Sequence, residues 1–364
     1  MRMAITTDWL VTLGGAERVI SEMIKLWPEA DIFTVVYDES ETKGLSEKEL
    51  KIHTSSLQKY YSIIKKHRLL LPLMPKAVES WDLSKYDTII SSSHAVAKGL
   101  IPPSSAKHIC YCHTPMRYAW EMEEKYLDDF GLFGPFRSFA KWNLKKLRHW
   151  DRTTAKRVDQ FIANSSTTQK RIERAYGRDS IVLPPPVNDK FFEINHTEPK
   201  ENYFLALGRL VPYKRVDLLI EAANRKGFRL KIAGSGPEEA HLKKIAGPTV
   251  EFLGYIPEEG LSDLYSKARA FLFPVEEDAG IVPLESQACG TPVIAYGKGG
   301  VLDTVINRET GIFFTDHTSE SLINAMDEFE NSNFDSNLIK EHAKKFSGER
   351  FRKKLKNIVE NMSC

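Results

Sequence analysis

Two glutamates, Glu277 and Glu285, flank the seven residues DAGIVPL. A short apolar run, Ala270 to Phe273, precedes them and reads as a buried parallel strand. Pro283 sits where a helix would start and Gly290 where it would stop. Glu277 is therefore expected in a loop at the carboxyl end of a strand, and Glu285 in the first turn of the next helix. Acids so placed can accept hydrogen bonds from vicinal hydroxyls on a sugar ring or a ribose. The same pattern also fits a Glu285 that caps its own helix and a Glu277 that is a solvated loop acid. The residues just before that helix start, Gly280, Ile281 and Val282, are candidate donor contacts, because a helix N-terminus offers free N–H groups and partial positive charge to an anion.

Other candidates lie at further strand ends. Arg209 and Lys214 flank the loop in GRLVPYKR, between a strand at Tyr203 to Leu207 and a helix. Two cations there could clamp a diphosphate, with the guanidinium forked onto two oxygens; plain surface charge is the other reading. His113 ends the strand Lys107 to Cys112, and Pro115 holds the following loop extended. Gly14 and Gly15 precede a helix at Ala16 to Leu26, where backbone N–H groups could approach a phosphate or merely form a tight turn.

The elements that must position these residues alternate strand and helix twice over. Strands are expected at Met3 to Asp8, Asp31 to Val36, Asp87 to Ser91, Gln160 to Asn164 and Ser180 to Leu183 in the first half. Leu230 to Ala233, Val250 to Leu253 and Pro292 to Ala295 are expected in the second. The pattern argues for an α/β fold of two doubly wound Rossmann-like domains facing a cleft. The expected division is residues 1–195 and 200–345, with the linker in His196 to Asn202. The segment 346–364 reads as a basic amphipathic helix returning to the first domain. GSGPEE lacks the full dinucleotide fingerprint and reads as a tight strand-to-helix turn.

A chain of 364 residues can bury two cores, and its net charge of +2 implies no nucleic-acid partner. No leader peptide and no run long enough to span a bilayer is visible. The four cysteines show no metal or disulfide spacing, and Cys110 and Cys112 are read as facing opposite sides of their strand. Asp128 and Asp129 read as capping or solvated, and no metal site is expected. Two stretches, Lys59 to Lys76 and Phe139 to Arg157, mix basic with aromatic residues. They fit either a membrane-surface role, with Trp142 or Trp150 at the interface, or internal helices with solvated basic faces.

The stretch Glu276 to Ala295, with the Gly299–Gly300 pair after it, resembles the signature of the family 4 retaining glycosyltransferases of GT-B fold. GGAER and the Arg209–Lys214 spacing are similar to the same family's motifs. YCHTPMRYAW resembles the subgroup containing bacterial O-antigen mannosyltransferases. The resemblance implies that Glu277 holds the transferred sugar and Glu285 the ribose. It implies that Arg209 and Lys214 bind the donor diphosphate, and that His113 faces the reacting sugar. It places Gly14 and Gly15 on the phosphate side and Gly254 near the base. Ala279 departs from the pattern, since many members carry an aromatic residue there. The implied activity is cofactor-free, metal-independent transfer of a hexose, mannose from GDP-mannose before a UDP-hexose. The implied acceptor is a glycan or polyprenyl-linked sugar of bacterial surface polysaccharide, met in the cytoplasm at the inner leaflet.

Overall fold

The computed structural model describes residues 2–46, 49–121, 123–129, 134–193 and 200–363. They form two compact units, Met1–Pro185 with Phe351–Cys364, and Pro186–Arg350.

The first unit is built on seven parallel strands. These are β1 (Met3–Thr7), β2 (Asp31–Thr34), β3 (Ile52–Thr54), β4 (Thr88–Ser93), β5 (Lys107–Cys112), β6 (Gln160–Ala163) and β7 (Ser180–Val182). Their order is β3-β2-β1-β4-β5-β6-β7. β1 is buried along its whole length, as a strand covered on both faces must be. Ile5 pairs in register with Ile32 and Ile90. One face of the sheet packs Ile5, Ile90, Ile109 and Ile162 against Val19, Ile20 and Met23 of the helix Gly15–Leu26. Phe351, Leu355 and Val359, from the helix Gly348–Ser363, complete that core. Cys110 and Cys112 do not face opposite ways. Residues two apart in a strand share a face, and both thiols are buried in one cluster with Phe161 and Ile172.

The second unit carries β8 (Phe204–Leu207), β9 (Leu230–Ala233), β10 (Val250–Gly254), β11 (Ala270–Phe273), β12 (Val293–Tyr296) and β13 (Gly311–Phe314). Their order is β10-β9-β8-β11-β12-β13, again all parallel. Phe204, Leu272 and Ile294 face Leu218, Leu219 and Ala222 of the helix Val216–Lys226. Leu205, Phe271 and Val293 face Leu284 and Ala288 of the helix Ile281–Ala288. Each sheet reverses its winding once, at β1/β4 and at β8/β11. The carboxyl ends of such switch-point strands are where doubly wound sheets bind ligands.

Of the expected linker, residues 196–199 lie outside the described residues. The units divide earlier, inside the proline run. Val187 already bridges Ser347, and Phe191 is buried against Tyr265, so 186–193 belongs to the second core. β3 and β13 were not among the expected strands. β3 has three residues, two of them exposed, and so shows no buried run.

Candidate active site

The site of the second unit grows from β8 and β11. β8 gives way to Gly208, whose φ of 148° suits glycine, and Arg209 and the turn Pro212–Lys214 follow. The glycines of GSGPEE serve this loop. A Cβ on Gly234 would run into the Gly208 carbonyl, and one on Gly236 into the backbone of Leu210. Leu210 N–H donates to Ser235 O at 2.9 Å, tying the two turns together. GSGPEE is thus a tight turn whose glycines permit close backbone approach.

After β11 the loop carries Glu277. Its backbone bridges Gly299, and Gly300 N–H donates to Glu277 O at 2.8 Å. Gly299 has φ 82°, and a Cβ there or on Gly300 would overlap the 277–279 backbone. The glycine pair therefore sets where the Glu277 carboxylate points. Lys214 Nζ donates to Glu277 Oε1. Both side chains are mostly covered yet reach solvent, at 16% and 24% exposure. Arg209 is exposed, and among the described residues its guanidinium has no hydrogen bond or ion pair. Gly208, Arg209, Lys214, Pro274 and Val275 line one pocket.

Gly280, with φ 70°, caps the helix Ile281–Ala288, so Ile281 and Val282 form its first turn. Glu285 is the fifth residue of that helix and lies in its second turn, because the helix begins two residues before Pro283. Its carboxylate is buried, and Oε2 accepts from Tyr265 Oη at 3.0 Å. Gly290 follows the helix with φ 71°. Gly254, φ 70°, ends β10, and its carbonyl accepts from Gly234 N–H at 2.7 Å.

In the first unit, Gly14 is the N-cap of its helix and Gly15 the first helical residue. Gly14 N–H donates to Glu17 Oε2 at 3.0 Å, so this glycine's donor is already used within its own helix start. Burial raises the Glu17 carboxyl above the usual range. His113 follows β5, with its Nε2 2.8 Å from Ser92 Oγ. Burial pushes this imidazole down to about 3, so it is neutral at working pH.

Two groups here had no sequence signal singled out. Asp8 is wholly buried at the end of β1 and accepts from the N–H groups of His94, Ala95, Val96 and Ala97, at 2.6–3.0 Å. It fixes the loop after β4, and its Oδ2 lies 3.1 Å from His94 Nδ1. Lys98 and Asp151 form a buried ion pair at 2.9 Å. The other carboxylate oxygen of Asp151 accepts from Trp120 Nε1 and Tyr176 Oη. The run SSSHAVAKG holds one partner of each, His94 and Lys98, but nothing local in it points to Asp8 or Asp151.

Residues 13–191 match the family model described as Glycosyltransferase Family 4, and 187–346 match Glycosyl transferases group 1. The two models together span residues 13–346, and the chain belongs to this family of glycosyltransferases, with its GT-B fold. A relative from Corynebacterium glutamicum is 33% identical over 205 residues, 47% of this chain and 54% of the relative. It is described as a GDP-mannose-dependent monoacylated alpha-(1-6)-phosphatidylinositol monomannoside mannosyltransferase. A D-inositol 3-phosphate glycosyltransferase of Mycobacteroides abscessus is 35% identical over 188 residues, 48% of this chain and 42% of that one. The chain thus spans about half the length of the curated relatives it matches. Among solved structures, HepE of Anabaena with UDP superimposes at TM-score 0.71 and 17% identity, covering 99% and 100% of the two chains. The sucrose-phosphate synthase of Thermosynechococcus elongatus gives 0.73 and 18%, covering 100% and 99%. At these identities the likeness shows the GT-B fold alone.

Proposed function

We propose that this GT-B chain is a retaining, metal-independent glycosyltransferase that moves a hexose from a nucleoside diphosphate to an acceptor hydroxyl. Mannose from GDP-mannose is the preferred donor. The observation that carries the reading is the grouping of Arg209, Lys214 and Glu277 beside one pocket at the carboxyl ends of β8 and β11. In the reaction the bond from the anomeric carbon to the diphosphate oxygen breaks, and a glycosidic bond to the acceptor oxygen forms. The acceptor proton passes to the departing phosphate. Arg209, Lys214 and the helix start at Ile281 would meet the charge growing on the diphosphate. Glu277 would accept from sugar hydroxyls and Glu285 from the ribose.

The GDP-mannose dependence of the Corynebacterium relative supports this donor. The acceptor proposed is a lipid-linked or oligosaccharide glycan of bacterial surface polysaccharide, reached from the cytoplasmic side. Exposed Tyr60, Ile63, Leu69 and Leu73, and Phe136, Phe139 and Trp142, support a membrane-surface contact. Trp150 does not belong to it, since its Nε1 donates to Glu79 at 3.0 Å and its ring fits against Gly99. No helix among the described residues is long and apolar enough to cross a membrane.

The test is a melting series with GDP, UDP and ADP, followed by product analysis with GDP-mannose. A ligand at a hundred times its Kd adds about 2.7 kcal/mol of stability. GDP is expected to raise the melting temperature most. A UDP preference would shift the donor to a UDP-hexose. Stabilisation without any new glycosidic bond would leave a sugar-nucleotide-binding subunit.

A further inference from the structure

We propose that His94 is an acceptor-binding residue, whose Nε2 receives a hydrogen bond from a hydroxyl of the acceptor glycan, with Asp8 as its positioning partner. The inference rests on the transferase reading above and concerns the acceptor, which the residues assigned to the donor leave without a named contact.

The geometry begins with Asp8. A wholly buried carboxylate that takes four backbone N–H groups is an acceptor-only group. Any imidazole nitrogen against it must donate. His94 Nδ1 lies 3.1 Å from Asp8 Oδ2, and we assign the ring proton to it, because the other neutral tautomer would set a lone pair against a carboxylate; the free lone pair then falls on Nε2. The backbone N–H of the same residue donates to the same oxygen at 2.7 Å, so the main chain at His94 is held by the carboxylate that its ring faces.

The ring is held from the side as well. Trp9 packs against His94 edge-on at 4.7 Å between centroids, and against His67 at 4.7 Å. Trp9 itself is buried and serves as a wall. His94 is 24% exposed, and among the described residues Nε2 has no hydrogen-bond partner. An acceptor atom with no partner is thus presented just after β4, at the carboxyl end of the β1/β4 switch point of the first unit. The His94 ring lies 6.2 Å from that of His113. A sugar hydroxyl is a donor of the right size for this atom. A metal ion is a poorer fit, because the described residues form no group of three or more His, Cys, Asp or Glu able to hold one.

The experiment uses the full chain, GDP-mannose as donor and n-octyl α-D-mannopyranoside as probe acceptor. One arm follows the 15N signal of His94 Nε2 in the wild type as the glycoside is added. The other compares wild type, His94→Phe and His94→Gln in steady-state transfer and in GDP binding. We expect the Nε2 signal to shift on adding glycoside. His94→Phe should raise the KM for the glycoside about tenfold, the loss of one hydrogen bond, with GDP affinity unchanged. His94→Gln, whose amide oxygen can accept, should recover part of the loss, which a merely structural role would not give. Transfer at unchanged KM by His94→Phe, or a wild-type signal that ignores the glycoside, overturns the assignment and leaves the transferase reading standing. A shifted signal without any transfer keeps His94 as a glycoside contact and sinks the transferase reading. No shift and no transfer sinks both.

Discussion

Lys214 donates from Nζ to Glu277 Oε1, so the cation assigned to the diphosphate and the acid assigned to the sugar hold one another. Both side chains reach solvent, and such a pair contributes about 0–1 kcal/mol to stability. Its value lies in placement. Each group fixes the other's rotamer before a ligand arrives, and a sugar nucleotide must share or replace the contact.

Arg209→Ala and Lys214→Ala should each lower kcat/KM by about two to three orders of magnitude. Neither should move the melting temperature by more than about 4 °C, because neither side chain anchors a core. Steady-state kinetics beside thermal melts checks both halves. Near-normal transfer by one variant removes that residue from the mechanism.

Glu277→Ala should impair transfer more than nucleoside diphosphate binding, whereas Glu285→Ala should weaken the bare nucleotide too. Calorimetric titration with GDP and UDP separates them, and the opposite pattern reverses the assignment. Tyr265→Phe removes the hydroxyl that donates to buried Glu285 and should cost about 1.5–3 kcal/mol in urea unfolding.

Lys98→Met should be among the most damaging changes in the first unit. It strands the Asp151 carboxylate, wholly buried, without its cation, a loss of about 3–5 kcal/mol. Equilibrium denaturation measures it. A variant as stable as the wild type would mean that Trp120 and Tyr176 alone satisfy Asp151.

Acid should unfold the protein through its histidines. Burial holds His67 and His108 down to about 4 and His113 to about 3, against 6.5 unfolded. Between those values the unfolded chain binds protons that the folded chain refuses. Their contribution is therefore present above pH 6.5 and lost as pH falls toward 4. The loss is about 1.4 kcal/mol per pH unit per group. Denaturation midpoints across pH 4–7 test this, and a His108→Asn variant should show a shallower slope.

Sedimentation with anionic vesicles at low salt should carry the protein down, and high salt or neutral lipid should release it. Trp142→Ala together with Ile63→Ser should reduce the bound fraction. Recovery in the supernatant under every condition would point to an acceptor presented in solution.

The two Rossmann-like units were legible because fully buried strands leave dense apolar runs, such as AFLF at Ala270–Phe273. The placement of Glu277 after a strand was legible for the same reason. The depth of Glu285 in its helix was not. Pro283 marks a first turn but not which of its residues comes first. Asp8 and His94 escaped because their chemistry depends on β1 and β4 lying side by side, although 86 residues of chain separate the pair. Such adjacency leaves no local pattern. Trp142 and Trp150, alike in sequence context, separate only when Glu79 and Gly99 are seen to claim the second indole.

The helix Gly348–Ser363 supplies Phe351, Leu355 and Val359 to a core otherwise made from the first 185 residues. On the ribosome, the half made first must wait with that apolar face uncovered while the continuous second unit emerges and folds. The second unit can fold as it is synthesised; the first is finished only by the last helix. Severing the chain before Phe351 would therefore injure the domain more distant in sequence, and the exposed face over Ile5 and Ile90 is where chaperones or aggregation would find it.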